Sequence, residues 1–294
     1  MTTHFPVWLR KRIEPTSLTR GVLEELKLKT VCVSARCPNV QDCFSRHTAA
    51  FMILGNICTR RCAFCAVSQG SPMSPEEDEP GRLTEAIRRL RISHAVITSV
   101  TRDDLTDGGA LQFSRTITTI REAFPSVTIE VLTPDFKGNE EAVETVIRAE
   151  PDIYNHNLET VARLQRTLRP GARYERSLGI LHYVKKRAPH IVTKSGLMVG
   201  LGERGEEVGE ALADLRRSQC DRVTIGQYLR PSARQVPVED YIPPELFRKY
   251  EEKAYALGFA HVFSGPFVRS SYRADQAQMK ITLKERMKSP HEYS

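Results

Sequence analysis

Six of the seven cysteines lie between residues 32 and 65, in two groups of three with different spacing. The first group, Cys32, Cys37 and Cys43, has the pattern C-x4-C-x5-C, and the second has the pattern C-x3-C-x2-C in the segment "CTRRCAFC". Structural zinc usually takes four protein ligands, whereas a [4Fe–4S] cluster held by three thiolates leaves one iron open to bind another molecule. The second group therefore predicts an iron–sulfur cluster with an open iron.

The first group, considered alone, is also compatible with zinc, because His47 or a water molecule could serve as a fourth ligand. A disulfide framework is not expected, since clustered cysteines in a reducing compartment are more often metal ligands and an odd total leaves one unpaired. The seventh cysteine, Cys220, follows a predicted helix far from both groups and is expected to be a small buried hydrophobe.

Beyond the cysteines, short apolar runs alternate with helical patterns, which is typical of a parallel sheet with crossover helices. We predict strands at 49–55, 94–100, 127–134, 152–158, 191–200 and 222–229, and helices at 83–92, 109–124, 139–150, 174–188 and 206–219. Six βα units predict an α/β fold, a partial (β/α)6 TIM-type barrel over residues 49–240. Residues 1–48 and 241–294 are expected to form N- and C-terminal extensions that cap it.

Polar residues cluster where the predicted strands end, in "TSVTRDDLTDGGA", "YNHNLE", "TKSG" and "GQYLRPS". Active sites of (β/α) barrels lie at the C-terminal edge of the strands, on the loops that follow them. Any one of these clusters alone is typical of an ordinary turn. Together they indicate where a barrel of this kind would carry its chemistry.

The second cysteine group consists of Cys58, Cys62 and Cys65. With Phe64 before the last cysteine and a (β/α) repeat behind it, this group resembles the motif of the radical S-adenosylmethionine (SAM) superfamily. The resemblance implies that the open iron chelates the amino and carboxylate groups of SAM, and that the reduced cluster cleaves the sulfonium to give a 5′-deoxyadenosyl radical. Such a radical abstracts hydrogen from an unactivated C–H bond, so the cofactor carries the hard step and the protein positions it.

Several strand-end residues are candidate contacts for SAM. Gly108 and Gly109 resemble the superfamily segment that receives the methionine amino group, although a plain turn would also account for them. Arg230 suits a carboxylate because its guanidinium can bind one bidentately. The other candidates for holding the nucleoside, the carboxylate or the substrate amide are Asn155, Asn157, Glu159, Lys194, Ser195 and Gln227, and Phe64 of the cysteine motif is a further candidate cofactor contact. His156, in the same run, is expected to be a hydrogen-bonded structural residue.

A narrower resemblance runs from about residue 6 to about residue 276. The segments "FMILGNICTRRCAFCAV", "VTRDDLTDGGA", "NHNLETV", "LRPGARYERSL", "KSGLMVGLGE", "IGQYLRPS" and "FVRSSYRAD" are similar, in this order, to segments of the lipoyl synthase family. In that family a triplet with the spacing of the first cysteine group binds an auxiliary [4Fe–4S] cluster together with a serine near the C-terminus. The serine here is Ser270 or Ser271, and the family pattern points to Ser271, the one before Tyr272.

This resemblance implies an enzyme, a radical SAM sulfurtransferase that makes the lipoyl cofactor. It would insert two sulfur atoms, at C6 and C8 of an octanoyl chain already amide-linked to a lysine, and would consume two SAM molecules. The auxiliary cluster would donate the sulfur and lose the iron bound by Ser271, since a serine oxygen is a poorer ligand than thiolate for a soft cluster. The implied cofactors are two [4Fe–4S] clusters and SAM, and the implied catalytic residues are Cys58, Cys62, Cys65 and Ser271.

The formal net charge of +7 would suit nucleic acid, a membrane surface or an acidic protein partner. Lys and Arg are scattered and form no dense basic block, which is typical of solvated helix faces. With the family resemblance we expect no nucleic acid. We expect docking to octanoylated lipoyl carrier domains, of 2-oxoacid dehydrogenase complexes or the glycine-cleavage H protein, which tend to be acidic. An electron donor and an iron–sulfur cluster carrier are further expected partners, and the protein is expected to be a monomer.

The composition, 40% hydrophobic and 27% charged, is that of a globular protein rather than a disordered one. No apolar run reaches signal-peptide length at the N-terminus or membrane-span length elsewhere, so we expect a cytoplasmic location. Two rival functions are a sulfur-inserting or methylthio-transferring relative acting on a free small molecule or RNA, and a basic binding protein with two zinc sites. Metal analysis distinguishes the zinc-binding protein from the favoured enzyme, because the favoured function requires about eight irons per chain.

Overall fold

Eight strands form one sheet at the centre of the protein, whose computed structural model describes residues 6–9, 17–272 and 274. The strands in chain order are β1 (Lys29–Thr30), β2 (Ala50–Ile53), β3 (Ile57–Cys58), β4 (Ser68–Gln69), β5 (His94–Ser99), β6 (Thr128–Leu132), β7 (Ile153–Asn155), β8 (Val192–Val199), β9 (Arg222–Gln227) and β10 (His261–Gly265). The sheet order is β1-β2-β5-β6-β7-β8-β9-β10, and β3 pairs separately with β4. All neighbours in the sheet are parallel except β1 and β2.

Helices connect the parallel strands and cover the outside of the sheet. They are α1 (Ser17–Glu25), α2 (Val31–Ser34), α3 (Val40–Ser45), α4 (Glu79–Leu90), α5 (Ala110–Ala123), α6 (Glu140–Ile147), α7 (Ala162–Leu168), α8 (Tyr174–Arg187), α9 (Gly205–Arg217) and α10 (Pro244–Ala256), with 3-10 turns at Val7–Leu9 and Phe136–Gly138. Leu83 and Ile87 of α4 and Phe113 and Ile117 of α5 are almost completely buried, as expected of a parallel sheet covered by helices. None of the helices in the described ranges is long and apolar enough to cross a membrane.

The six predicted strands and five predicted helices are all present, and the prediction of a partial α/β barrel is confirmed. Their bounds differ from the predicted ones by a few residues at each end. Within the described residues β1 and β10 form the two edges of the sheet and do not pair with each other, so the barrel stays open.

The sheet continues past residue 240, where the sequence predicted only a capping extension. β10 pairs in parallel with β9, from His261 opposite Arg222 to Gly265 opposite Gly226. α10 packs against β10, and Ser264 Oγ donates a hydrogen bond to the carbonyl of a buried α10 residue at 2.8 Å. The sequence pattern missed β10 because only its first two residues are buried, so no long apolar run marks it.

Candidate functional site

The second cysteine group lies in the loop after β2, at the C-terminal edge of the parallel strands. β3 and β4 pair with Cys58 opposite Gln69 and thereby close the ends of this loop. Ala63 N donates to the carbonyl of Leu168 (2.8 Å), and Val236 N donates to the carbonyl of Ala63 (3.1 Å). These bonds hold the cysteine loop against the end of α7 and against the loop that follows β9.

Arg60, inside the cysteine loop, anchors it to the ends of β5 and β6. The guanidinium binds both carboxylate oxygens of Asp103 (2.7 and 2.9 Å) and reaches Asp135 Oδ1 at 2.6 Å. Burial acts to raise the pKa of Asp135, but Arg60 outweighs it and the pKa falls to about 2. This network was not predicted from the sequence, although Arg60 lies within the cysteine motif and Asp103 closely follows a predicted strand.

The three thiols of this loop are close enough to influence one another. Burial raises the pKa of Cys65 to about 12, and the charges of Cys62 and Cys58 add to the rise. Arg60 N donates to Cys58 Sγ at 3.4 Å, and hydrogen bonds to sulfur are a feature of iron–sulfur sites. Thiols buried in this way become thiolates when a metal stabilises them, so the loop fits a cluster.

The first cysteine group lies on two short helices that precede β2 in the chain. Cys32 belongs to α2 and Cys43 to α3, and Cys37 lies between them with its N–H bonded to the carbonyl of Cys32 at 2.9 Å. Burial raises the pKa of Cys32 to about 12 and that of Cys43 to about 11, and Cys37 adds to both shifts. The three sulfurs therefore share one neighbourhood beside the β1 edge of the sheet.

The segment that contains "RSSY" is fastened to the first cysteine group. Tyr272 Oη donates to Asp42 Oδ2 at 2.7 Å, and Asn39 Nδ2 donates to the carbonyl of Phe267 at 2.6 Å. These bonds join residues 230 and 228 positions apart in the chain. They bring a serine-bearing segment to the cysteines, as the family resemblance requires.

The two serines of this segment have different surroundings. Ser271 lines a small cavity of about 20 Å³ together with Cys32 and Cys43. Ser270 does not line that cavity, and its hydroxyl donates to Asn157 Oδ1 at 2.8 Å. The surroundings favour Ser271 over Ser270 as the fourth ligand, and the ligand role itself stays a prediction.

His47, the alternative fourth ligand for zinc, is exposed and does not line the small cavity. In the described part of the chain, no three His, Cys, Asp or Glu side chains converge on a position for a single metal ion. A [4Fe–4S] cluster does not require such convergence, because each thiolate binds a different iron.

A larger cavity, of about 240 Å³, connects the two cysteine groups. Cys32 and Cys37 line it from the first group and Cys65 lines it from the second. Apolar side chains form much of the remaining wall, namely Val31, Pro38, Leu132, Leu197, Met198, Leu229 and Val268. An apolar ligand in this cavity would contact both cysteine groups.

Three of the predicted SAM contacts, Phe64, Asn157 and Glu159, line this larger cavity. Asn157 Nδ2 donates to Glu159 Oε1 at 3.0 Å, so the two side chains form one polar unit. Burial raises the pKa of Glu159, and the positive charge of Arg169 opposes that rise. Arg269 lines the same cavity and was overlooked in the sequence, although it is the first residue of "RSSY".

Asn155 and Lys194 are buried on the sheet and do not line the larger cavity. Lys194 Nζ and Asn155 Nδ2 both donate to Glu130 Oε1, at 2.8 and 3.1 Å. Burial acts to raise the pKa of Glu130, but Lys194 and His94 outweigh it and the pKa falls to about 2. Both residues therefore have a structural partner, and their contact with SAM stays a prediction.

Ser195, Gln227 and Arg230 bind backbone groups of the strand-end loops. Ser195 Oγ accepts from a backbone N–H at 3.1 Å. Gln227 Nε2 donates to the carbonyl of Asp240 at 2.9 Å, and its Oε1 accepts from Ile242 N at 2.8 Å. Arg230 donates to two carbonyls of its own loop, each at 2.7 Å. These bonds shape the loops, and direct contact with SAM stays a prediction for all three residues.

Gly108 and Gly109 complete the loop after β5 with positive φ angles of 61° and 92°, a region that favours glycine. A Cβ at Gly108 would lie 2.9 Å from Phe136 Cδ1, and a Cβ at Gly109 would meet the Leu54 side chain. Turn geometry and packing therefore account for both glycines. Neither lines the larger cavity, and contact with the methionine amino group stays a prediction.

Two residues that the sequence predicted to be structural are buried. His156 Nδ1 donates to the carbonyl of Thr133 at 2.9 Å, and its Nε2 accepts from Ser177 Oγ at 3.0 Å. Burial, with a contribution from Arg169, lowers the pKa of His156 to about 4. Cys220 is completely buried. The structural roles expected for His156 and Cys220 are confirmed.

Comparisons with known sequences identify relatives along the chain. A model of the Radical SAM superfamily matches residues 52–215. The lipoyl synthase of Caldanaerobacter subterraneus subsp. tengcongensis is 57% identical over 277 residues, which are 94% of this chain and 97% of that protein. The lipoyl synthase of Geobacter sp. strain M21 is 50% identical over 272 residues, which are 92% of this chain and 93% of that protein.

Solved structures of lower sequence identity share the fold. Methylornithine synthase (PylB) aligns with a TM-score of 0.53 at 12% identity, over 94% of this chain and 93% of that one. Streptococcus suis SuiB bound to S-adenosylmethionine aligns with a TM-score of 0.56 at 14% identity, over 76% of this chain and 53% of that one. At these identities the similarity concerns the barrel architecture alone.

Proposed function

The chain belongs to the lipoyl synthase family of the Radical SAM superfamily, and from this premise we propose that it inserts sulfur at C6 and C8 of an octanoyl chain borne by a lysine of a carrier domain. It is an enzyme, a radical SAM sulfurtransferase. The observation that carries the proposal is the apolar cavity that Cys32 and Cys37 share with Cys65. An octanoyl chain in that cavity would lie between the two cysteine groups.

Two [4Fe–4S] clusters and SAM fit these groups; when bound, they supply a hydrogen-abstracting radical at the second group and sulfur at the first. Cys58, Cys62 and Cys65 would hold the SAM-binding cluster. Arg60 fixes that loop against Asp103 and so positions its thiols. Loops held in this way keep catalytic groups at the geometry that the reaction needs.

Cys32, Cys37, Cys43 and Ser271 would hold the auxiliary cluster, the proposed sulfur donor. Ser271 would be the ligand that leaves, because an oxygen ligand binds soft iron less strongly than thiolate does. Ser271 lines both the small and the larger cavity together with Cys32, which supports this role. The serine would then release its iron next to the space that we assign to the substrate.

We assign direct contact with SAM or substrate to Phe64, Asn157 and Glu159, since they line the larger cavity. The remaining candidates would act by shaping the surrounding loops, as their protein partners suggest. They are Gly108, Gly109, Asn155, Lys194, Ser195, Gln227 and Arg230.

The proposed protein substrate is an acidic, octanoylated lipoyl carrier domain. Arg36 is exposed and lines the larger cavity, and the exposed Arg61 and Arg230 lie in or beside segments that line it. Charges at a rim of this kind speed docking of an acidic partner and are screened by salt. Affinity for the octanoylated carrier should therefore fall as ionic strength rises, and equal affinity at low and high salt would contradict this partner. A cytoplasmic location and a monomeric state stay predictions.

The decisive experiment is anaerobic incubation of the reconstituted protein with SAM, a chemical reductant and an octanoyl-lysine peptide. The peptide should gain the mass of two sulfurs, and two 5′-deoxyadenosine molecules should form per product, both measurable by mass spectrometry. Formation of 5′-deoxyadenosine with an unchanged peptide would contradict the proposed substrate. Metal analysis of the same sample should give about eight irons per chain.

A further inference from the structure

His94, the first residue of β5, has an unusual position among the buried polar groups. It is 8% exposed, and its Nε2 lies 3.1 Å from Glu130 Oε2. Its Nδ1 is buried and has no hydrogen-bond partner among the described residues. An unpaired buried nitrogen is costly, so this atom needs an explanation.

Glu130 decides which nitrogen of His94 carries the hydrogen. Its other oxygen accepts from Lys194 Nζ at 2.8 Å and from Asn155 Nδ2 at 3.1 Å. The ion pair with Lys194 keeps the carboxylate ionised and able only to accept. The Nε2 of His94 must therefore donate to it, and in the neutral ring Nδ1 carries the free lone pair.

The small cavity is the space that His94 shares with Cys32, Cys43 and Ser271. Its other lining residues are Thr48, Ala49, Ala50, Val96 and Ala274. The Thr48 hydroxyl is already bonded to the carbonyl of Cys43 at 2.9 Å. His94, with its unpaired Nδ1, thus lines the same small cavity as three proposed ligands of the auxiliary cluster.

We propose that His94, oriented by Glu130, is a reserve ligand of the auxiliary site that binds the open iron when Ser271 does not. A carboxylate that accepts from the second ring nitrogen is the usual support of a metal-binding histidine. Imidazole is a common ligand of iron, and its nitrogen can bind the iron in place of the serine oxygen. The inference rests on the proposed function, which assigns an auxiliary cluster to the first cysteine group.

The test uses the full chain in which the three cysteines of the second group are replaced by alanine (Cys58→Ala, Cys62→Ala, Cys65→Ala). In this background only the auxiliary cluster contributes to the iron content and to the spectrum. Ser271→Ala and the pair Ser271→Ala/His94→Gln are compared in this background, since glutamine can still donate to Glu130 but offers no imidazole nitrogen. Iron per chain is measured, and pulsed electron paramagnetic resonance of the reduced cluster is recorded with 15N-histidine labelling.

With Ser271→Ala alone, we expect about four irons and a coupling from a directly bonded histidine nitrogen. The double variant Ser271→Ala/His94→Gln should lose that coupling and retain about three irons. Ser271→Ala/His190→Gln is the matched control, because His190 is exposed and far along the chain, and it should behave like Ser271→Ala. Thermal unfolding checks that all variants fold. If the glutamine variant does not fold, Ser271→Ala/His94→Asn is used in its place.

Equal iron content in Ser271→Ala and in the pair, or a Ser271→Ala spectrum without histidine coupling, would overturn the role of His94. These outcomes differ from a failure of the proposed function. In that case the background chain with Ser271 and His94 intact would itself bind no cluster, and no auxiliary site would exist for His94 to serve.

Discussion

The two cysteine groups have equal numbers of thiols but are supported in opposite ways. The second group lies in one loop at the barrel mouth, and backbone bonds through Ala63 and the Arg60 guanidinium fasten that loop on several sides. The first group lies on two short helices that precede β2 in the chain. Among its polar neighbours, Ser271 comes from the far C-terminal segment and His94 from β5.

This difference matches the roles that we propose for the two sites. A SAM-binding cluster must keep the same geometry at every turnover, and a loop anchored by many bonds provides it. A sulfur donor must come apart during the reaction, and a site completed by a weak oxygen ligand from a distant segment can release iron. The comparison thus predicts that the two groups respond differently to substitution.

The largest expected effect follows Cys58→Ala. Loss of this thiolate removes a cluster ligand of the anchored site, so reductive cleavage of SAM should fall to background and no lipoyl product should form. Chromatographic measurement of 5′-deoxyadenosine checks this, with Cys220→Ala as the control because Cys220 is buried outside both groups. Normal cleavage in the Cys58 variant would place the SAM-binding cluster elsewhere.

Cys32→Ala should separate the two sites. SAM cleavage should persist, because the second group is untouched, while sulfur transfer to the octanoyl peptide should cease. Iron should fall from about eight to about four per chain. If the Cys32 variant still made the lipoyl product, the first group would not be the sulfur donor and the contrast between the groups would disappear.

Replacement of Ser271 by alanine should have a smaller effect, a loss of sulfur transfer of about tenfold to a hundredfold. The loss arises because the fourth ligand changes while the three thiolates remain. Ser270→Ala is the matched control, since Ser270 adjoins it but donates to Asn157. Product formation should fall much less in that variant, and the opposite ranking would reassign the ligand to Ser270.

Arg60→Gln should have the smallest effect, about a tenfold reduction in SAM cleavage with the octanoyl-lysine peptide as substrate. The change removes the charged anchor between the cysteine loop and the carboxylates of Asp103 and Asp135 but removes no ligand. The exposed neighbour Arg61 supplies the control, and Arg61→Gln should leave peptide turnover unchanged. An unchanged rate in the Arg60 variant would mean that the backbone bonds alone hold the loop.

The local pattern of the chain predicted most of the barrel. Each of the six strands was visible as an apolar run, because parallel strands are buried on both faces. β10 was not visible, since its last three residues are half-exposed and its pairing with β9 depends on the packing of α10. The same limit applies to Gln227, whose strand-end position suggested a ligand but whose amide joins two backbone segments.

By itself, the sequence determined the kinds of ligand and their spacing, which are properties of residues close together in the chain. It could not choose between Ser270 and Ser271 by any physical criterion, and it gave no reason to connect His94 with the cysteines. The tertiary structure decided the surroundings of these residues, because hydrogen bonds between positions more than two hundred residues apart bring the "RSSY" segment to the first group. Such proximity depends on the assembled sheet, and no local pattern encodes it.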